Sequence, residues 1–141
     1  MNARPDLSVA NSARAASTRA RAAKLIAVAS SEADIYDVIT ESTTSRGRAL
    51  LRITLRQLLL AVPGWGNERA ARIINQTLTV LNIRPAQVST RRLTIAWLID
   101  PRAGGRRFMA FCDSLKDNSS APWAGFPFMP KPSSAGTRGA A

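Results

Sequence analysis

Histidine is missing from these 141 residues and cysteine occurs once, at Cys112. That excludes an intrachain disulfide and a Cys/His metal site. Acids are nearly as scarce, nine Asp and Glu against twenty Lys and Arg. The local cluster Asp34, Asp37 and Glu41 is what a metal-dependent nuclease would need. Without a second acidic group or a histidine it reads instead as the solvated face of a helix, open to pairing with an arginine. We expect no metal, no cofactor and no enzymatic activity. Long apolar runs are absent too: nothing approaches the roughly 20 residues of a membrane span, and the N-terminus has no leucine-rich signal core. The expectation is a cytoplasmic protein.

What remains is a chain 45% hydrophobic with a formal net charge of +11. It is long enough for one modest core with tails, and too apolar for a wholly disordered basic protein. A pI near 11.6 points to a polyanionic partner, nucleic acid first and an anionic membrane surface second. Three basic residues are lysine (Lys24, Lys116, Lys131) and the rest arginine, as a GC-rich genome gives. Codon bias raises the arginine count; it does not strip out acids. Between residues 46 and 107 twelve arginines stand against only Glu68 and Asp100. Twelve minus two is +10, nearly the whole net charge.

The stretch Leu55 to Ile83 is the most strongly patterned and reads as helix, tight turn, helix. Thr54 with Gln57 three residues on is a capping box, and Leu55, Leu58, Leu59 and Val62 recur at helical spacing. Pro63-Gly64 stops that helix. The next starts at Gly66-Asn67 and buries Ala70, Ile73, Ile74, Leu78 and Leu81, leaving Arg69 and Arg72 to look outward. Asn82 ends it and Arg84-Pro85 prevents continuation. The turn Gly64-Trp65-Gly66 has two readings. In one it is an ordinary corner whose glycines serve geometry. In the other, bare backbone at a helix start offers free N–H groups and the positive end of the dipole to a phosphate. The surrounding arginines favour the second, with Gly64, Trp65, Gly66, Asn67, Arg69 and Arg72 as its residues.

The run VPGWGNERAARII, residues 62 to 74, resembles the (L/V)PGxGxxRAxxI segment of the actinobacterial integration host factors. GRALLRITLRQLL, residues 47 to 59, is similar to their lead into the first helix of the same unit, and Arg91-Arg92-Leu93 resembles their paired arginines before the last helices. The likeness spans residues 13 to 115, its specific part being the glycine turn and its flanks. This chain departs from the pattern in a longer helix after the turn, a longer link to Arg91, an apparent insertion at Asp100 to Gly105, and Asn67 where lysine is common. The resemblance implies a helix-two-turn-helix fold, nucleoid association, and an architectural role in which DNA is bent and phage integration assisted. The divergence suits a phage- or plasmid-encoded relative.

Taken in order, residues 1 to 11 form a flexible lead, and from Ser12 a basic helix begins. Ala13, Ala16, Ala20, Ala23 and Ala27 make a small-residue stripe, and Arg14, Arg21 and Lys24 a basic face with Arg19 to one side. Such a helix buries little. It is either a solvated helix packed loosely on the domain or an arm that lies along a phosphate backbone and orders on binding; the family likeness favours the arm. Ser30 or Ser31 caps a short acidic helix with Ile35, Val38 and Ile39 inward, completing the region 12–45. Within the core, residues 46–116, Arg52 and Arg56 share a side if the helix begins early. Ser89 or Thr90 caps a helix through Arg91, Arg92, Leu93, Ala96, Trp97 and Leu98, with Trp97 in the core. The Gly104-Gly105-Arg106-Arg107 corner opens a last helix, to about Leu115, with Phe108, Phe111, Cys112 and Leu115 on its buried face. Residues 117–141, rich in Pro, Ser and Gly, read as a disordered tail. Trp123, Phe126, Phe128 and Met129 are too apolar for an inert one, so the segment 118–132 is expected to dock, on the domain itself or on a recombinase or other protein.

The chain therefore reads as a small all-α domain with a helix-two-turn-helix core, a basic N-terminal helix and a disordered tail. The expected function is non-catalytic binding of double-stranded DNA in the nucleoid of a bacterial or phage-infected cell, with phosphate contacts from the glycine turn, from Arg91 and Arg92, from Arg14, Arg21 and Lys24, and from Arg106 and Arg107. No helix start carries a base-reading set, so sequence preference should be weak. No membrane and no small-molecule substrate are expected as partners. The alternative is RNA or ribosome binding by the same helical unit, with Tyr36 and Trp65 the exposed aromatics that could stack on bases. DNA glycosylases that share the unit carry an N-terminal proline–acid pair and a cysteine zinc finger, and this chain has neither.

Overall fold

The computed structural model describes residues 7–118, which form six α-helices: α1 Leu7–Ala29, α2 Ile35–Ser42, α3 Leu55–Ala61, α4 Asn67–Val80, α5 Ile95–Leu98 and α6 Arg106–Asn118. Short 3-10 turns at Arg48–Arg52, Pro85–Gln87, Thr90–Arg92 and Pro101–Ala103 join them. The described residues are all-α. The expectations for the chain before Leu7 and after Asn118, with its apolar stretch from Trp123 to Met129, lie outside the described residues.

The central unit forms as its sequence dictates. Thr54 Oγ1 accepts the Gln57 N–H and the Gln57 side chain accepts the Thr54 N–H, each at 3.0 Å, which closes the capping box of α3. Leu55, Leu58 and Leu59 are fully buried while Val62 is half-buried. The Trp65 N–H then donates to the Val62 carbonyl at 3.1 Å, with Pro63 and Gly64 between them. Gly64 sits at φ +82, the positive value that the third position of a type II turn demands. α4 buries Ala70, Ile73, Ile74, Thr77 and Leu78. Leu81, expected in that stripe, is only half-buried because the helix has already ended at Val80. Asn82 turns left-handed at φ 60, the Asn82 N–H donates to the Thr79 carbonyl and the Ile83 N–H to the Leu78 carbonyl. That pair of bonds is a Schellman ending, with asparagine in the place glycine often holds.

The N-terminal half departs from expectation in three ways. α1 is already helical at Leu7 rather than only from Ser12, since nothing between Leu7 and Ser12 breaks a helix, so residues 7 to 11 are helix and not lead. Its packing face is also not the alanine stripe. Of that stripe Ala27 alone is half-buried and Ala13, Ala16, Ala20 and Ala23 are exposed, while Ser17, Arg21, Lys24 and Leu25 are half-buried and Val28 is buried. Leu25 and Val28 remove more surface from water than the alanines could, so their face turns inward, while Ile26 stays exposed. Third, α2 is capped by Asp34 and not by Ser30 or Ser31. Asp34 Oδ1 accepts the Asp37 N–H at 2.8 Å and Asp37 Oδ2 the Asp34 N–H at 3.0 Å. Ile35, Val38 and Ile39 are buried as their spacing predicts. Between α2 and the next turn, a Cβ at Gly47 would run into the Glu41 carbonyl oxygen, which fixes glycine there.

The expected helix from Arg91 to Leu98 is broken in the middle. Leu93 and Ile95 pair with the chain entering α3: the Leu55 N–H donates to the Leu93 carbonyl at 2.8 Å and the Ile95 N–H to the Ile53 carbonyl at 2.9 Å. Those groups cannot also serve a helix ladder, so Arg91 and Arg92 sit on a 3-10 turn capped by Ser89, and α5 starts afresh behind Thr94. Leu93, Ile95 and Leu98 are buried beside Ile53 and Leu55. Trp97 is half-buried against this core rather than inside it. α6 runs antiparallel along α4. Val80 and Leu81 lie near Arg106 and Met109, and the Thr77 and Ser114 hydroxyls meet at 3.2 Å, both buried. Phe111 and Leu115 close the core. Cys112 is half-buried and receives the Tyr36 hydroxyl; burial pushes both the thiol and the phenol above their ordinary ranges.

Candidate nucleic-acid interface

Twelve arginines between residues 46 and 107 must find space on a small surface, and the fold sorts them. Two of them, Arg48 and Arg52, join two arginines of α1 where that helix crosses the Arg48–Arg52 turn. A cleft of about 490 Å³ there is lined by Arg14, Arg21, Arg48 and Arg52, with Ser17 and Thr18 among the residues between them. Among the described residues, no carboxylate stands on its wall. Arg21 is held in place: Nη1 donates to the Ala49 carbonyl at 3.4 Å and Nη2 to Thr18 Oγ1 at 3.3 Å. Arg14, Arg48 and Arg52 are exposed. The two α1 residues are legible in the sequence as a basic face. Arg48 and Arg52 lie outside the residues expected for the site, and their signal is the four-residue spacing of Arg48, Arg52 and Arg56.

The glycine turn forms a second group. Gly66 is the N-cap of α4 and no side chain caps that helix, so the turn leaves first-turn amides without a side-chain acceptor. Gly64 and Gly66 both have open space where a side chain would stand. Arg56 reaches over from α3 to give Nη2 to Asn67 Oδ1 at 2.7 Å. Arg69 lies over the Trp65 ring, its Cζ 5.2 Å from the centroid, a cation–π contact that orients the guanidinium beside the turn. Glu68 and Arg72 are exposed.

Other expected site residues are placed elsewhere or already engaged. Lys24 Nζ is 2.7 Å from Glu41 Oε1, which neutralises it; the acidic helix does pair with a cation, but a lysine. Arg107 lies over Trp97, 4.5 Å from the ring centroid, and Nη1 donates to the Trp97 carbonyl at 2.9 Å. Arg106 donates Nε to the Ala103 carbonyl at 3.3 Å and sits by Val80 and Leu81. α4 has 14 residues and is therefore about 21 Å long, so Arg106 and the glycine turn occupy opposite ends of it. Arg91 and Arg92 are exposed, with Arg92 beside Trp97 on a shallow cleft. The expected residues thus divide into separate groups rather than one patch.

Among the described residues no group of acids, cysteine or histidine is arranged to hold a metal ion, and no helix is long and apolar enough to cross a membrane. No protein-family model, curated protein or solved structure matches the chain.

Proposed function

We propose that this chain is a non-catalytic double-stranded DNA-binding protein that grips phosphates with weak sequence preference and organises or bends the duplex, as the integration host factors it resembles would lead one to expect. The observation that carries the reading is the cleft of Arg14, Arg21, Arg48 and Arg52, which no acid among the described residues lines. Guanidinium forks match phosphate oxygens in bidentate geometry, and several like charges held together repel until a polyanion neutralises them. Duplex DNA carries phosphates in the regular rows such a cleft accepts. Weak base reading follows from the helix starts. The amide side chain of Asn67, at the start of α4, is held by Arg56, and phosphate contacts alone fix position without reading sequence. Nucleoid association is part of the same proposal.

RNA binding by the same unit is the second reading. Tyr36 is 44% exposed and offers a face to an unpaired base. Trp65, the other aromatic expected to stack, has one face covered by Arg69, which favours duplex over single strands. The test is fluorescence anisotropy of the purified chain with a random-sequence DNA duplex and a matched structured RNA, across a salt series. Neutralising about six phosphates gives a log-log salt slope near −5. Tighter binding to DNA with that slope supports the proposal; tighter binding to RNA replaces it, and no binding to either at moderate salt removes it.

A further inference from the structure

We propose that the apolar stretch from Trp123 to Met129 docks in cis into a cleft beside the glycine turn. This cleft, of about 370 Å³, is walled by Val28 of α1, Ile35 and Tyr36 of α2, Val62 and Trp65 of the turn, and Leu115 of α6. The walls are apolar and come from four parts of the chain, with Asp34 and Lys116 also lining it. A concave apolar surface of this size lies at the lower end of the range for ligand pockets, so it takes side chains of the segment rather than the segment entire.

Chain geometry selects the occupant. Leu115 and Lys116 line the cleft and Asn118 is the last described residue of α6, so the segment is tethered close to the cleft. Trp123 follows Asn118 by five residues, which span up to about 17 Å when extended. A tether that short holds the segment at an effective concentration on the order of millimolar. The segment's chemistry agrees. Pro122, Pro127, Pro130 and Pro132 punctuate it, and each proline ring fixes one backbone dihedral before any docking occurs. Proline-rich segments of that kind dock in aromatic-lined grooves because little conformational freedom remains to be lost. Tyr36 and Trp65 supply the aromatic walls, and Trp123, Phe126, Phe128 and Met129 supply the apolar surface to be covered.

The test uses the full chain, uniformly labelled, without nucleic acid, so its outcome is separate from that of the DNA proposal. Nuclear Overhauser cross-peaks are expected from the Trp123, Phe126 and Phe128 rings to the methyls of Val28, Ile35 and Leu115, unchanged on tenfold dilution. In the variant F126S with F128S those cross-peaks disappear and the Tyr36 and Leu115 signals move, while the signals of buried Phe111 and Thr77 stay in place and report an intact fold. A full chain whose aromatic segment gives no cross-peak to the cleft overturns the proposal. So do cross-peaks that arise only between differently labelled copies, which would make a second copy the occupant.

Discussion

Arg56 Nη2 donates to Asn67 Oδ1 at 2.7 Å, so a residue in the first turn of α3 holds the first residue of α4. The bond spans the Val62–Trp65 turn and fixes how the two helices diverge from it. Both side chains are exposed, which limits its contribution to about 0.5–1 kcal/mol. Replacing Asn67 with alanine is expected to lower stability by that amount in chemical denaturation. Asn67→Asp keeps the acceptor and adds a negative charge at a helix N-terminus, so it should match or exceed the parent by a few tenths of a kcal/mol. Asn67→Lys sets a like charge against Arg56 and should fall below alanine. A series in which the three substitutions are equivalent would remove the bond from the account of the turn.

The arginine cleft makes a separable prediction. Arg14 and Arg52 are exposed and line the cleft, so Arg14→Ala with Arg52→Ala should leave the circular dichroism spectrum and melting temperature near those of the parent. Each arginine on a phosphate contributes about one unit to the salt slope. The double variant should therefore flatten a slope near −5 to about −3, weakening binding uniformly across duplex sequences. Lys24→Ala is the contrast, because Glu41 already neutralises that lysine. It should leave the slope unchanged and loosen α1 from α2, by roughly 0.5 kcal/mol given the exposure of the pair. Equal effects of the two variants on the slope would mean that charge in general, rather than this cleft, sets affinity.

How much of this is legible in the sequence depends on whether the deciding interactions are local. The capping box at Thr54 and Gln57, the stop at Pro63-Gly64, and the stripe Ala70, Ile73, Ile74, Leu78 are all readable, because each rests on neighbours within four residues. The split of the Arg91–Leu98 segment is not. It is decided by Leu93 and Ile95 pairing with Ile53 and Leu55, some forty positions upstream. The inward face of α1 escapes the sequence for a related reason: the alanine spacing is regular, yet Leu25 and Val28 have more surface to bury, and the helix turns toward them. For the site, Arg14 and Arg21 are readable as one face, while their meeting with Arg48 and Arg52 needs the tertiary crossing. Thr77 and Ser114, buried against each other, carry no sequence signal beyond their positions on the apolar stripes.

The Pro101–Ala103 turn predicts a pH dependence. Asp100 accepts from the Arg102 backbone N–H at 3.0 Å and from the Arg102 guanidinium at 2.7–3.2 Å. The Arg102 side-chain hydrogen bonds, then its backbone bond, lower the Asp100 carboxyl to about 2. A carboxylate whose folded value is depressed contributes stability that is present above its unfolded value and lost as pH falls through the folded one. The contribution of this turn should hold at neutral pH and disappear between about pH 4 and pH 2. A carbon-detected titration of Asp100 should show a midpoint near the lower end. Arg102→Ala should return the midpoint toward the ordinary range, and Asp100→Asn should flatten that part of the stability curve. An unchanged midpoint in the Arg102 variant would assign the depression to another source.

The glycine turn yields the sharpest test, because its two glycines differ in kind. Gly64 sits at φ +82, where a side chain costs about 1–2 kcal/mol, so Gly64→Ala should destabilise whatever the turn binds. Gly66 sits at φ −107 and ψ −173, extended backbone that any residue adopts, and the space a Cβ would take there is open. Its place as the N-cap of α4 is one that serine fills well, by accepting a first-turn amide. Gly66→Ser should therefore leave the protein as stable or raise it by a few tenths of a kcal/mol, while the new hydroxyl takes up an N–H that a phosphate oxygen would otherwise accept. Stability and DNA affinity then move in opposite directions, affinity falling several-fold as expected for loss of one hydrogen bond of about 1 kcal/mol. If Gly66→Ser binds duplex DNA as the parent does, the amides of the turn are not part of the interface, and the arginine cleft alone carries the contact.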